Sequence, residues 1–159
     1  MKTIPLTQGK VALVDDEDFE RFGHFKWYAS WCPTNKSFIA KRTEHLPKQF
    51  TRLLHRDIMG VTDLRIQVDH KNHDTLDCQR HNLRLCNRSQ NLSNRRGPQA
   101  NSFSGIRGVS WKKEMGKWVA QIEVEGKKIH LGYFTDKTLA ATVYAAANRQ
   151  HFGEFGGHL

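Results

Sequence analysis

The sequence is poor in cysteine and irregular in where it places it. Three cysteines, Cys32, Cys78 and Cys86, stand among 159 residues. An odd number without regular spacing excludes a disulfide framework as the organising principle and leads us to expect a reducing compartment. No apolar run approaches the roughly 18–20 residues needed to cross a bilayer, so neither a helical membrane protein nor a membrane partner is expected. Met1 to Lys10 carries Lys2 but no apolar stretch behind it, and Pro5 interrupts what there is; no signal peptide is read there. There is no internal repeat and no low-complexity tract. Acidic residues are missing from one long stretch: none lies between Asp77 and Glu114.

What is present is a basic chain with enough apolar content for a modest core. Hydrophobic residues make up 38%, and 25 Lys and Arg face 16 Asp and Glu, a formal net charge of +9. Such an excess raises affinity for polyanions without further specificity. The acid-free stretch holds Arg80, Arg84, Arg88, Arg95, Arg96, Arg107, Lys112 and Lys113, interleaved with Asn82, Asn87, Gln90, Asn91 and Asn94. Guanidinium, ammonium and amide groups are what phosphate and base-edge recognition require. A solvated basic face is the commoner meaning of a charge run. Here the run follows directly on a motif of metal-ligand type.

The chain reads in four zones of an α+β protein. Residues 4–14 hold two short apolar runs around Gln8-Gly9-Lys10, a small hairpin. Asp15 to Asp18 then opens a helix whose acids suit the positive end of its dipole, with Phe19, Phe22 and Trp27 for the buried side. Phe38-Ile39-Ala40 reads as a further strand. In the second zone Leu53, Leu54, Ile58 and Met59 form a short helix ended near Gly60. Val68-Asp69-His70 ends a strand, Asn82–Leu85 is another, and Asn87 to Arg95 a helix. Residues 97–105 are a linker by composition. Residues 106–134 look like a three-strand meander with a tight turn at Glu125-Gly126. Along its middle strand Trp118, Ala120, Ile122 and Val124 alternate with Val119, Gln121, Glu123 and Glu125. Thr135 to Phe152 is a helix with Thr135 as N-cap and Gly153 as its stop. Leu139, Val143 and Ala147 recur every four residues along it, as do Ala140 and Tyr144.

The reactive residues concentrate between Asp69 and Asn94. Asp69-His70 comes first, Asn82 twelve residues after His70, and Asn91 nine after that. A carboxylate and an amide carbonyl are hard oxygen ligands, and Mg²⁺ takes one or two of these with waters and substrate phosphate. A neighbouring neutral His can remove a proton from an attacking water. A zinc reading competes, since His70, His73, Cys78, His81 and Cys86 are all zinc-type ligands. It ranks behind, because neither Cys-x2-4-Cys nor His-x3-5-His spacing occurs.

Val68-Asp69-His70-Lys71-Asn72, then Asp77-Cys78-Gln79-Arg80-His81-Asn82-Leu83-Arg84, then Gln90-Asn91-Leu92-Ser93-Asn94 resembles an HNH endonuclease, in the phage- and intron-associated branch whose final His is replaced by Asn. The resemblance covers residues 51–96 and implies a ββα-metal finger with one divalent cation, Mg²⁺ or in its place Mn²⁺. By position it makes His70 the general base, Asp69 and Asn91 the metal ligands, and Asn82 the residue that holds the loop orienting His70. Arg84 and Asn94 would support the site or a phosphate. The family often shows Asn-Arg after the aspartate matching Asp77, where this chain has Cys78-Gln79.

The C-terminal zone resembles an AP2-type DNA-binding domain. The residues that carry this are Ser104-Gly105-Ile106-Arg107-Gly108-Val109-Ser110-Trp111, Gly116-Lys117-Trp118-Val119-Ala120-Gln121-Ile122, Ile129-His130-Leu131-Gly132-Tyr133-Phe134 and the alanine-rich run from Ala140 to Ala147. That resemblance implies a three-stranded antiparallel sheet with one packed helix, the sheet entering the major groove. Strand alternation then exposes Ser110, Lys112, Gln121, Glu123, Lys128 and His130. Trp118 and Phe134 are expected in the core, with Trp111 evenly divided between core and surface.

Together these give an expected nuclease domain over 1–96, with an N-terminal hairpin and helix as support, a linker over 97–105 and a DNA-reading domain over 106–159. The expected activity is metal-dependent, site-selective hydrolysis of double-stranded DNA, nicking as a monomer, with two copies or a turnover between strands needed for a double-strand break. Expected DNA contacts are Arg80, Arg88, Asn94, Arg95, Arg96, Arg107, Ser110, Lys112, Gln121, Lys128 and His130. No obligate protein partner is evident. The resemblance implies a phage or mobile element, hence the cytoplasm of a bacterial host, with homing as one role. The alternative is a sequence-specific DNA-binding regulator whose nuclease site is inactive.

Overall fold

The computed structural model describes residues 1–33, 36–45, 47–94, 97 and 102–156. The chain is a mixed α+β protein of small antiparallel sheets and few helices, and it divides into two compact units, Met1–Cys86 and Asn87–Leu159. No helix among the described residues is long and apolar enough to cross a membrane.

The first unit opens with the expected hairpin, β1 (Lys2–Pro5) paired antiparallel with β2 (Val11–Val14). Its turn needs left-handed backbone at two successive positions, Gln8 (φ 61°) and Gly9 (φ 65°). Ile4, Ala12 and Val14 point inward and are fully buried. Helix α1 (Asp16–Phe22) follows, with three acids in its first turn and Phe19 and Phe22 on the core side against Trp27. A three-stranded sheet comes next, in the order β3 (Tyr28–Cys32), β4 (Ser37–Glu44), β5 (Phe50–Leu53). The sequence signalled only the middle strand. Tyr-Ala-Ser-Trp-Cys and Phe-Thr-Arg-Leu are short and bury little on either face, so neither shows a clean period of two.

Helix α2 (Leu54–Ile58) buries Leu54 and Ile58 in the core beside Ile4 and Val14. Strands β6 (Gln67–His70) and β7 (Leu83–Cys86) pair antiparallel, with Asp69 opposite Arg84 and His70 opposite Leu83. The loop between them is latched to the N-terminal hairpin. Leu13 donates its N–H to the Leu76 carbonyl (2.8 Å) and accepts from the Cys78 N–H (2.9 Å). Asp15 then accepts from the Arg80 N–H and the Gln79 amide, and Arg80 reaches the fully buried Asp18 at 2.7 Å. The N-terminal residues thus brace this loop.

The second unit starts with α3 (Arg88–Ser93), capped by a reciprocal pair: the Asn87 side chain accepts from the Gln90 N–H and the Gln90 side chain from the Asn87 N–H. Its far end is fixed within the same unit. Ser93 Oγ donates to Asn148 Oδ1 (2.8 Å), and Arg107 donates to the carbonyls of Ser93 and Leu92 (2.6 Å each). These bonds group the helix with the C-terminal unit, and the division falls after Cys86, ahead of the 97–105 segment read as linker. Ser104, at the end of that segment, is buried and hydrogen-bonds the carbonyls of Ile106 and Val109.

The meander forms as expected: β8 (Val109–Lys112), β9 (Lys117–Val124) and β10 (Lys127–Phe134), in the order β10-β9-β8, with Glu125 and Gly126 both at positive φ in the turn. Helix α4 (Lys137–Phe152) packs on one face. Its N-cap is Asp136 and not Thr135, because the Asp136 carboxylate accepts from the Thr138 and Leu139 N–H groups. Gly153 closes the helix at φ 52°. Of the two four-residue stripes, Ala140 and Tyr144 face the sheet while Leu139 is half exposed. The small side chains at 140 and 147 let the helix approach Val109, Ala120 and Ile122 closely.

Tyr144 needs Gly108. A Cβ there would fall 2.0 Å from the Tyr144 ring, at a backbone φ of +69°. Gly108→Ala is expected to destabilise the second unit by at least about 2 kcal/mol through clash and backbone strain together. Urea unfolding followed by tryptophan fluorescence reads this; a midpoint equal to wild type would contradict the packing described.

Candidate active site

Strand β6 ends on Asp69-His70, and the strand's alternation sends the two side chains to opposite faces. Asp69 lies against its cross-strand neighbour: Arg84 Nε and Nη2 both approach Asp69 Oδ2 at 2.9 Å, with both side chains about nine-tenths buried. His70 turns inward and is 6% exposed. Its Nε2 is 4.0 Å from Cys78 Sγ, and its ring meets the ring of His55 edge-on at 5.1 Å between centroids. His55 comes from α2, a buried imidazole whose Nδ1 has no hydrogen-bond partner.

Burial sets the protonation of this group. It pushes His70 down to about 4, against the opposing pull of Asp69, Asp74 and Asp77. It pushes His55 down to about 3, helped by the charge of His70 and then of Arg56. It pushes the Cys78 thiol up to about 12, assisted by Asp77 and Asp74. At neutral pH both imidazoles are therefore uncharged and the thiol keeps its proton.

Asn82 is the hub of the loop over residues 71–82. It is 3% exposed; its carbonyl accepts from the Lys71 N–H (2.9 Å), its Oδ1 from the Asn72 N–H (3.0 Å), and its Nδ2 donates to the Asp77 carbonyl (2.7 Å). Asn72 in turn donates to Asp77 Oδ2 (2.7 Å) and accepts from the Asp74 N–H. A turn from His70 to His73 closes at once after the strand, with His73 at φ 65°. The backbone that carries His70 is thus held by a side chain twelve residues away in sequence.

The remaining expected residues are distributed as follows. Asp69, His70, Asn82 and Arg84 come together within the first unit. Asn91 stands on α3 in the second unit, and Asn94 is that helix's buried C-cap. Arg80 is committed to Asp15 and Asp18, and Arg107 to the end of α3. Arg88 is exposed; Arg95 and Arg96 lie outside the described residues. On the sheet, Ser110, Lys112, Gln121, Glu123, Lys128 and His130 are all exposed, on the face away from α4. Tyr133 joins them, 45% exposed and with its ring 4.5 Å from that of His130. Trp118 and Phe134 pack against the core, while Trp111 is 41% exposed and meets Trp118 edge-on.

Among the described residues no three His, Cys, Asp or Glu side chains converge as a metal cage. Mg²⁺ does not need one, since it retains waters and takes substrate phosphate beside one or two protein oxygens. The donor types of Asp69 and Asn91 fit that demand. Sequence reasoning missed His55, which sits in an apolar helical stretch; nothing local signals that His70, fifteen residues on, will be its neighbour.

The chain is 31% identical over 88 residues to Protein 3.8 of Escherichia phage T7, an alignment that covers 55% of this chain and 71% of that protein. No family model matches the chain, and no solved structure does.

A pH dependence of stability follows from the two buried imidazoles. Unfolded, each binds a proton near 6.5; folded, neither does until about 4 or 3. Their contribution to stability is full above pH 6.5 and is lost as pH falls, by up to about 1.4 kcal/mol per pH unit for each imidazole. Urea midpoints measured from pH 7 down to pH 4 are expected to fall, and His55→Gln to show the shallower slope. Equal slopes for the two proteins would contradict a buried neutral His55.

Proposed function

The chain belongs to the family of Escherichia phage T7 Protein 3.8, and with the Asp69–His70–Asn82 loop as its working part we propose that it is a metal-dependent, site-selective DNA endonuclease. In this reading β6, β7 and α3 supply the ββα order of an HNH metal finger, and β8–β10 with α4 an AP2-type reader. The observation that carries the proposal is His70: a buried, neutral imidazole at a strand end, on backbone held by Asn82.

A base must be unprotonated to accept a proton, and His70 meets that condition throughout the neutral range. Its role is to take the proton of the attacking water. Asn82 keeps the loop from drifting, because each shift of that backbone breaks one of three hydrogen bonds. Asp69 and Asn91 would hold the cation, Mg²⁺ or Mn²⁺, which when bound offsets phosphate charge and stabilises the leaving oxygen. Arg84 sets the position of the Asp69 carboxylate through its two bonds to Oδ2. The exposed face with Lys112, Gln121, Lys128 and His130 would read double-stranded DNA in the major groove. Joining reader to blade raises the local concentration of the blade at a chosen site. One base and one cation per chain fit the nicking of one strand, and a phage or mobile element as the setting, with homing as one role.

One observation favours a second reading, a DNA-binding protein without cleavage: Arg84 already holds Asp69 Oδ2, one of the two oxygens the carboxylate could offer a cation.

Supercoiled-plasmid nicking separates the two. Wild type with Mg²⁺ is expected to yield relaxed circle, EDTA to abolish it, and His70→Ala to slow it at least about 100-fold while leaving DNA affinity unchanged. Salt-sensitive binding without nicking, across a plasmid library that samples targets, would favour the binding protein.

A further inference from the structure

The first unit carries a second polar feature, away from Asp69 and His70 in its residues. A cleft of about 240 Å³ is lined by Arg21, Arg42, Arg52 and Arg56, with Phe22, Asp57 and the turn Gly60-Val61-Thr62. Four guanidinium groups around so small a space repel one another, and the structure holds them there with fixed partners. Arg42 bonds Glu44 (2.6 Å) and Asp57 (3.3 Å) and stacks on the Phe25 ring at 4.0 Å. Arg52 reaches Glu44 (3.4 Å) and Asp57 (3.6 Å) and lies over Phe50. Arg56 is held by neutral partners, the carbonyls of Ile66 and Asp63. Arg21 contacts Asp18, a carboxylate it shares with Arg80.

The carboxylates do not cancel the arginines. Glu44 and Asp57 offset two of the four charges, and Asp18 is matched by Arg80, which leaves the cleft with net positive charge. Donors are left over as well. Arg42 Nε is buried and has no hydrogen-bond partner. A buried guanidinium nitrogen in that state costs free energy unless an acceptor arrives. Arg21 and Arg52 keep part of their side chains in solvent, 54% and 37% exposed, so a ligand can reach them. Asp57 lies deep, 11% exposed, as the anchor that aims Arg42 and Arg52. Planar guanidinium forks pre-oriented by half-buried carboxylates are suited to a tetrahedral oxyanion.

We propose that this cleft binds a phosphate group, and that its physiological source is a backbone phosphate of the DNA. The phosphate assignment rests on the cleft alone; the DNA source rests on the DNA-binding part of the reading above and needs no catalysis.

The test uses the full chain in three forms: wild type, Arg21→Gln/Arg52→Gln, and Arg65→Gln, an exposed arginine paired with Asp63 outside the cleft. Millimolar inorganic phosphate, against chloride at matched ionic strength, is expected to raise the Tm of wild type and of Arg65→Gln by about 2–4 °C and to leave the double variant unchanged. On a short DNA duplex, the double variant is expected to bind about three- to tenfold more weakly at moderate salt. Its slope of log affinity against log salt should be shallower by about 0.9 for one lost phosphate contact. Arg21→Gln alone, at a half-exposed side chain whose buried partner Asp18 keeps Arg80, should give the same signs at smaller size. Phosphate stabilisation lost with the DNA slope unchanged would assign the cleft to free phosphate and overturn the DNA source. No difference among the three proteins in either measurement would overturn the proposal. A wild type that never nicks, but shows the slope change, would overturn the nuclease reading alone.

Discussion

Polar groups withdrawn from water must find partners, and the loop over residues 71–82 is built around that demand. Asp69, His70, Asp77 and Asn82 are all under a tenth exposed. Each such group left orphaned would cost about 1–3 kcal/mol. A loop cannot satisfy them from a regular ladder, so the acceptors and donors are gathered one by one. Asn82 takes three, Asn72 joins Asp74 to Asp77, and Leu13 contributes its backbone from the hairpin. Asp15 and Asp18 finish the arrangement through Gln79 and Arg80. The first fifty residues therefore have a physical reason to be there whatever the chemistry of the site.

Elements with a strong period were legible in the sequence. The β1–β2 hairpin, the three-strand meander with its Glu125-Gly126 turn, and α4 show up because one face is apolar along their length. The spacing of Asp69, His70 and Asn82 was legible too, and three of the expected site residues do share one loop region with Arg84. Less visible was anything decided by long-range partners. Strands β3 and β5 owe their form to β4 between them. Arg42 stands beside Lys41 in sequence, yet two carboxylates and two aromatic rings enclose it. The grouping of α3 depends on Ser93 finding Asn148, fifty-five residues on. Asp136 took the N-cap from Thr135 because a carboxylate spans two N–H groups, a choice composition alone leaves open.

The two sheet-bearing regions manage their exposed faces differently. In the meander, β9 is covered on its Ala120–Ile122 side and offers Gln121 and Glu123 on the other, paired in register with His130 and Lys128. The register shifts between His130 and Gly132, and this break in the ladder lets Tyr133 fall beside His130 on the outer face. A polar face with an aromatic pair on its edge strand has both hydrogen-bonding and stacking capacity. In the first unit the cleft arginines are held by carboxylates and backbone carbonyls, which gives them direction at the expense of reach.

The burial of Cys78 carries a practical corollary for spectroscopy. Cys78 and Cys86 are both enclosed, with thiols pushed up to about 12 and about 11, whereas Cys32 on β3 is partly open to solvent. Maleimide and iodoacetamide react through the thiolate, so in the native protein they discriminate strongly among the three. The chain comes with a natural single attachment point for a fluorophore or spin label. Delayed modification of Cys78 reports when the wall around His70 opens.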